Sequence, residues 1–334
     1  MLLRVPATVE FHVPISPTVE MLTMVRVLSA TLFRFSGVGR RGRIVVTVGA
    51  EAIPQDLEAR LPWLDPDQVE IRPCPDELFA RRGIQGTAMR RMEYDFAAEV
   101  VVLLDADLIV TGRLDDLVDE LSYQPAIAGV IAHATPFKDG TDHWPELYEA
   151  AGLPAPQRPY RYTGWPYMAW QQHAGWEAAT NEPAVLAPPY FNFGVVGGPS
   201  ELVARIPAEF ENLLNVVSRA TNTPFRGQIA LTLALEKLGI PHRGLPMRYN
   251  FGNDVRLEAL HPRELEEIRI VHVLRRHQGV DKRELYRSVQ GLREMVDRTH
   301  LWGANEAARR ALAAVIDELE STPTVIGRVA RTAW

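Results

Sequence analysis

The sequence predicts an α/β protein with a mostly parallel central sheet flanked by helices, an aromatic-rich insertion and a C-terminal helical appendage. Three observations carry this expectation. Over roughly the first 131 residues, β-branched runs alternate with segments of helical periodicity, the pattern of a parallel sheet covered by helices. The run VVVLL at 100–104 is apolar throughout, as in a strand covered on both faces. Periodicity lapses between 134 and 189, where Pro, Trp and Tyr accumulate, and then returns.

The elements follow in order. VEFHV at 9–13 reads as the first strand, and Ser16 followed by Pro17 is a cap and first-turn signal for the next helix. Met21, Val25, Leu28 and Leu32 recur at helical spacing until GVGR breaks the pattern. RIVVTVG is a second buried strand, a short helix is expected near 55–61, and VEIRP is a third strand. Residues 87–97, with Met89, Met92 and Phe96 on one side, read as a helix leading into the central strand EVVVLLDADLIV at 99–110. RLDDLVDEL is a short helix and AIAGVIAH a further strand.

The insertion at 134–189 contains Trp144, Trp165, Trp170, Trp176, Tyr160, Tyr162 and Tyr167. Their faces suit sugar rings as well as local core. Beyond it, YFNFGVVGG is a Gly-punctuated strand, 207–219 a helix, and RGQIALTLALEKLG a helix closed by Gly239. LPMRYNFG is a short strand or turn, and IRIVHV at 268–273 is a strand ending near His272 before the basic loop LRRHQGVDK. Residues 281–298 and 304–319 read as two amphipathic helices, followed by the tail TVIGRVARTAW.

A net charge of −6 excludes a chain whose main task is gripping nucleic acid or an anionic membrane. Cys74 is the only cysteine, so no intramolecular disulfide forms, which fits a cytoplasmic protein. No run approaches the roughly 18 apolar residues of a spanning helix, and none at the start has the sustained apolar core of a signal peptide.

The central run ends in acid. Asp105 and Asp107 are two apart, so on a strand they face the same way, and ligands of open α/β sheets bind at such carboxyl ends. Two neighbouring carboxylates repel unless a cation or several donors offset the charge, so the pair is either a metal site or a cap of the turn at Thr111 and Gly112.

A strand ending in Asp-x-Asp, a later YFNFG, a helix opening with Gln, an RYN segment and a strand ending in His, in that order, resemble the GT-A-fold glycosyltransferases, above all family 8. The resemblance covers roughly 9–282. It implies a Rossmann-like nucleotide-sugar transferase domain at 1–282, with 283–334 as the appendage. It also implies transfer of a sugar, commonly UDP-linked, to an acceptor hydroxyl with retention and with Mn²⁺ or Mg²⁺ as cofactor. The acceptor would be a carbohydrate, a lipid-linked sugar or a small molecule. Carried over by motif, Asp105, Asp107 and His272 are metal ligands. Arg90, or its neighbour Arg91, reaches the donor, Asn192 and Gly194 lie at the donor sugar, Gln228 lies close to the reacting carbon, and Lys282 is the phosphate-binding lysine, with Arg275 and Arg276 nearby.

The chain departs from the family at three places. Gly227 stands where an aspartate precedes the glutamine, HVLRRHQGVDKRE replaces the His-x-x-Gly-x-x-Lys-Pro-Trp signature, and the loop HVPISPT lacks the acidic and Asn residues that meet base and ribose. Two other readings stand beside the transferase. VVVLLDADLIV also resembles the Asp-x-Asp strand of haloacid-dehalogenase-type phosphatases, although that strand normally opens its domain. Loss of the aspartate before Gln228 suits a non-catalytic sugar-nucleotide binder.

Overall fold

The computed structural model describes residues 7–51, 53, 57–58, 61–137, 141–163, 186–274 and 276–321. Residues 55, 56, 59 and 60 of the short helix expected near 55–61, together with Trp165, Tyr167, Trp170, Trp176, Arg275 and the tail from 322, lie outside the described residues.

Seven strands form the main sheet in the order β10-β6-β9-β4-β1-β2-β3. They are β1 (Val9–Ile15), β2 (Arg43–Val48), β3 (Val69–Pro73), β4 (Val100–Leu104), β6 (Ile127–Ile131), β9 (Phe191–Pro199) and β10 (His242–Gly244). All neighbours pair in parallel except β9, which runs against β4 and β6 on either side of it. A smaller sheet, in the order β11-β12-β5, joins β5 (Leu108–Val110), β11 (Phe251–Gly252) and β12 (Ile270–His272). β7 (Tyr160–Arg161) pairs with β8 (Leu186–Ala187) inside the insertion.

Helices cover the main sheet as expected. The helix Val19–Phe35 contributes Val25, Leu28 and Leu32 to the same core as Phe11, Val46 and Val102. Its cap is Thr18 rather than Ser16, because the Thr18 hydroxyl accepts from the Met21 N–H at 3.2 Å. The opposite core takes Val101, Leu103 and Val196 together with the helices Pro207–Ala220 and Arg226–Lys237.

Three expected elements are corrected. The 99–110 run is not one strand. It leaves the main sheet after Leu104 and resumes at Leu108 in the smaller sheet, so Asp105 and Asp107 sit on the crossing between sheets. The helix expected at 87–97 is instead Ile84–Arg90, preceded by Asp76–Arg82, because Arg91 turns inward to the Leu104 carbonyl at 2.8 Å. The helix expected at 281–298 is broken into Lys282–Leu285 and Val289–Val296. Ser288 caps the second piece, its hydroxyl accepting from the Gly291 N–H at 3.3 Å, and a Cβ on Gly291 would come within 2.3 Å of the Glu284 carbonyl.

The described part of the insertion is built around a helix, Trp144–Ala150. Trp144 and Tyr162 are core here rather than sugar platforms. The Trp144 indole donates to the Tyr162 hydroxyl at 3.0 Å and meets Phe137 and Tyr190 edge-on, all of them buried.

Candidate metal and donor site

Register brings the acids and the histidine together. β5 and β12 are antiparallel with Leu108 opposite His272, which puts the His272 ring beside Asp107. The Val273 N–H donates to the Asp107 carbonyl at 3.1 Å and continues the pairing past the strand end. The His272 Nε2 lies 3.1 Å from Asp107 Oδ1 and 4.0 Å from Asp105 Oδ2. One ligand atom from each of Asp105, Asp107 and His272 falls within 4.8 Å of the others. Asp107 and His272 are buried, whereas Asp105 is about a third exposed at the mouth.

A hydrogen-bond chain fixes the polarity of the imidazole. The Gly194 N–H donates to Asn192 Oδ1 at 2.8 Å, which identifies that atom as the oxygen. Asn250 Nδ2 donates to the same oxygen at 3.0 Å, leaving Asn250 Oδ1 to accept from His272 Nδ1 at 2.9 Å. In the neutral ring the proton is then on Nδ1, and the Nε2 lone pair faces the carboxylates. Two lone-pair atoms 3.1 Å apart are stable only with a cation or a proton between them.

The charges agree. Burial and the neighbouring Asp107 charge push the Asp105 carboxyl up, with His272, Arg91 and Lys282 opposing. At Asp107 burial pushes the same way, but His272 and Lys282 outweigh it and hold the group below the usual carboxylate range. Lys282 Nζ pairs with Asp107 Oδ2 from the far side. Two carboxylates and an imidazole, with that imidazole held at its other nitrogen, form a group that could hold a divalent cation.

The other sequence-predicted residues fall around this group in different ways. Asn192 and Gly194 belong to the network just described. A Cβ on Gly194 would sit 2.5 Å from both Asn250 Oδ1 and His272 Nδ1, so glycine is required for the histidine and its support to pack. Arg90 pairs with Glu93 at 3.3 Å and lies over the Tyr94 ring. Arg91 is the arginine behind the acids: it is buried, burial pulls its guanidinium down to about 10, and the Asp105 charge opposes that fall. Gln228 is half-buried in the first turn of Arg226–Lys237. The space a Cβ on Gly227 would fill is occupied by Gln85 Oε1, at 2.8 Å, and by Phe193 at 3.3 Å.

Two supporting residues escaped sequence reasoning. Asn250 was visible only as part of RYN, and Gln85 carried no signal at all, since a half-buried helix glutamine has no pattern of its own.

The sequence matches no protein-family model and no curated protein. Among solved structures the chain is similar to the galactosyltransferase LgtC. In a crystal structure of LgtC with donor and acceptor sugar analogs, the likeness covers 91% of this chain and 95% of that one, at 14% identity and a TM-score of 0.52. A structure of an active-site mutant of LgtC gives the same identity and coverage with a TM-score of 0.53. The fold is therefore GT-A, with its mainly parallel sheet flanked by helices. No helix among the described residues is long and apolar enough to cross a membrane.

Proposed function

We propose that the chain is a metal-dependent glycosyltransferase that moves a sugar from a nucleotide-diphosphate donor, UDP-linked by preference, to an acceptor hydroxyl with retention. The observation that carries the reading is the Nε2 of His272 facing Asp107 Oδ1 at 3.1 Å with its Nδ1 proton already committed to Asn250. Such a pair calls for a cation or a second ring proton, and it lies at the strand edge where open α/β sheets bind their ligands. The likeness to a galactosyltransferase crystallised with donor and acceptor sugar analogs supplies the reaction class.

Asp105, Asp107 and His272 would hold Mn²⁺ or Mg²⁺. When bound, that ion supplies Lewis-acid stabilisation of the charge developing on the departing diphosphate. The rest falls to the chain. Lys282, about two-fifths exposed and paired with Asp107, would exchange that partner for a donor phosphate. Arg90 and Asn192 are assigned to donor binding. Gln228 is the polar support beside the sugar, and Gln85 Oε1 lies where a side chain at Gly227 would begin. Retention needs no protein nucleophile: the sugar–phosphate bond breaks, the acceptor oxygen bonds to the same face, and its proton passes to the departing phosphate. The acceptor is a carbohydrate, a lipid-linked sugar or a small hydroxyl compound, and the chain works in the cytoplasm.

The phosphatase reading loses its ground in the topology, since β1, β2 and β3 all precede the acidic motif and the fold is GT-A. A silent binder is the reading to beat. Thermal unfolding with UDP, GDP, ADP or TDP, each with and without Mn²⁺, tests the site in the wild type and in Asp107→Ala. Ligand at 100 times its dissociation constant stabilises by about 2.7 kcal/mol, or several degrees in Tm at most for a chain of this size. A shift that needs both Mn²⁺ and Asp107 supports the site and names the base. No shift with any diphosphate overturns it. Incubation with the matching sugar nucleotide then separates enzyme from binder by release of free nucleotide.

A further inference from the structure

The segment 273–281 connects the two residues that touch Asp107 from opposite sides, His272 and Lys282. Its described residues belong to no helix or strand. His277 and Val280 close a small bridge around Gln278, whose φ of 53° is the only positive value among described non-glycine residues. Such a loop has many conformations open to it unless something outside it removes them.

Two buried amides do this. The Leu274 N–H donates to Asn253 Oδ1 at 2.7 Å, Asn253 Nδ2 donates to Asn305 Oδ1 at 3.2 Å, and Asn305 Nδ2 donates to the His277 carbonyl at 3.0 Å. The Asn253 N–H also donates to the His272 carbonyl at 3.1 Å. At the tip, Gln278 Oε1 accepts from the Trp302 N–H at 2.9 Å, and Gln278 Nε2 donates to the Trp302 carbonyl at 3.2 Å. Trp302 and Asn305 flank the start of the helix Gly303–Ala313. That helix is anchored in turn by Glu258, which accepts from the Ala304 N–H at 2.9 Å, and by Ala304 and Ala308 in the core.

We infer that Asn305, in the C-terminal helices, is a positioning residue for the metal and donor site, acting through the loop that carries His272 and Lys282. Burying an amide pair in a core costs free energy that an apolar pair would avoid, and Asn253 and Asn305 are 0% and 1% exposed. What the amides provide is geometry. They hold the loop at Leu274 and His277, and so hold both partners of Asp107 at a set spacing. The C-terminal helices are therefore part of the site's frame. The inference rests on the metal reading above for its consequence, but its structural half, the fixing of the loop, stands apart from it.

The test uses the full chain with Asn305→Ala, Asn305→Asp and the control Leu312→Ala. Asn305→Asp keeps the acceptor for Asn253 and sets a carboxylate oxygen against the His277 carbonyl, while Leu312→Ala opens the core of the same helix. Amide hydrogen exchange over 272–282 reads the loop, calorimetric titration with Mn²⁺ reads the site, and Tm reads stability. Both Asn305 variants are expected to speed exchange at 274–282 and to weaken Mn²⁺ binding by about 10- to 100-fold, the usual scale for residues supporting metal ligands. Leu312→Ala is expected to lower Tm at least as much while leaving both readouts at wild type. Exchange at 274–282 unchanged in both Asn305 variants overturns the inference, as does unchanged Mn²⁺ affinity in them where the wild type binds. A wild type that takes no Mn²⁺ sinks the metal reading instead, and exchange alone then decides on Asn305.

Discussion

His272 Nδ1 sits 2.9 Å from Asn250 Oδ1, and the two are packed so closely against Gly194 that one added methyl group at that glycine would strike both. Asn250 therefore decides which nitrogen of the histidine is offered to the acids, and Gly194 makes room for that arrangement.

Asn250→Leu removes the acceptor that keeps the proton on Nδ1 while preserving much of the volume. Mn²⁺ affinity is expected to fall by about 10- to 100-fold, with the far-ultraviolet spectrum unchanged, when measured by calorimetric titration. Wild-type affinity in this variant would show that the amide does not orient the ring.

Gly194→Ala forces the Asn250–His272 pair apart. The expected cost is about 1–3 kcal/mol in urea unfolding, as for overpacking of a tight core, together with loss of Mn²⁺ binding. Gly244→Ala on β10 is the comparison, because a Cβ there meets Tyr160 at an ordinary 3.6 Å, and its stability should stay within about 0.5 kcal/mol of wild type.

Lys282→Ala is expected to act in opposite directions on the two ligands. Its ammonium competes with a metal for Asp107 but would contribute to phosphate binding. With a partly exposed pair at stake, Mn²⁺ affinity without nucleotide should rise by up to about fivefold. Affinity for a nucleoside diphosphate at saturating Mn²⁺ should drop by about tenfold. A fall in both would assign Lys282 to holding Asp107 in place.

His12 ties stability to pH. It is wholly buried beside Glu10, with Arg72 and Arg91 contributing nearby charge and Tyr94 and Phe96 against its ring. Burial pulls its pKa below the ordinary 6.5, and the Glu10 contact only partly opposes this. The unfolded chain then binds the proton more readily than the folded one, so His12 leaves stability unaffected well above pH 6.5 and lowers it as pH falls from 6.5 towards the folded value. The slope in that window is at most about 1.4 kcal/mol per pH unit. Tm profiles of wild type and His12→Asn should converge above neutrality, with the variant falling less steeply on the acid side. Parallel profiles would remove His12 from the balance.

Most of the frame was legible because strands such as RIVVTV and VVVLL are buried on both faces and leave unbroken apolar runs. The acids were legible for the converse reason, charge at the end of such a run. His272 was legible as the end of IVH, yet its register against Leu108 belongs to a pairing 164 residues away in the chain and leaves no local trace. Asn250, Asn253 and Asn305 act through single amides outside any repeating pattern, so periodicity passes over them. Arg91 was hidden by the helix it ends, since a basic residue on an amphipathic segment reads as solvated until its reach to Leu104 is seen.

The reversed direction of β9 has one more consequence. β6 ends at Ile131 and β9 begins at Phe191, and these two residues are paired neighbours, so the chain leaves the sheet and returns to it at almost the same point, on the edge where Asp105 lies. An excursion whose two feet are stapled together can change in length at a cost of only about 0.6 kcal/mol for each doubling. A change of length between 132 and 190 thus leaves the strands that hold the acids in place as long as Trp144, Tyr148 and Tyr162 keep their packing in the core they share with Val101 and Leu103. The frame that holds the acids and the length of the segment that enters beside it can change separately.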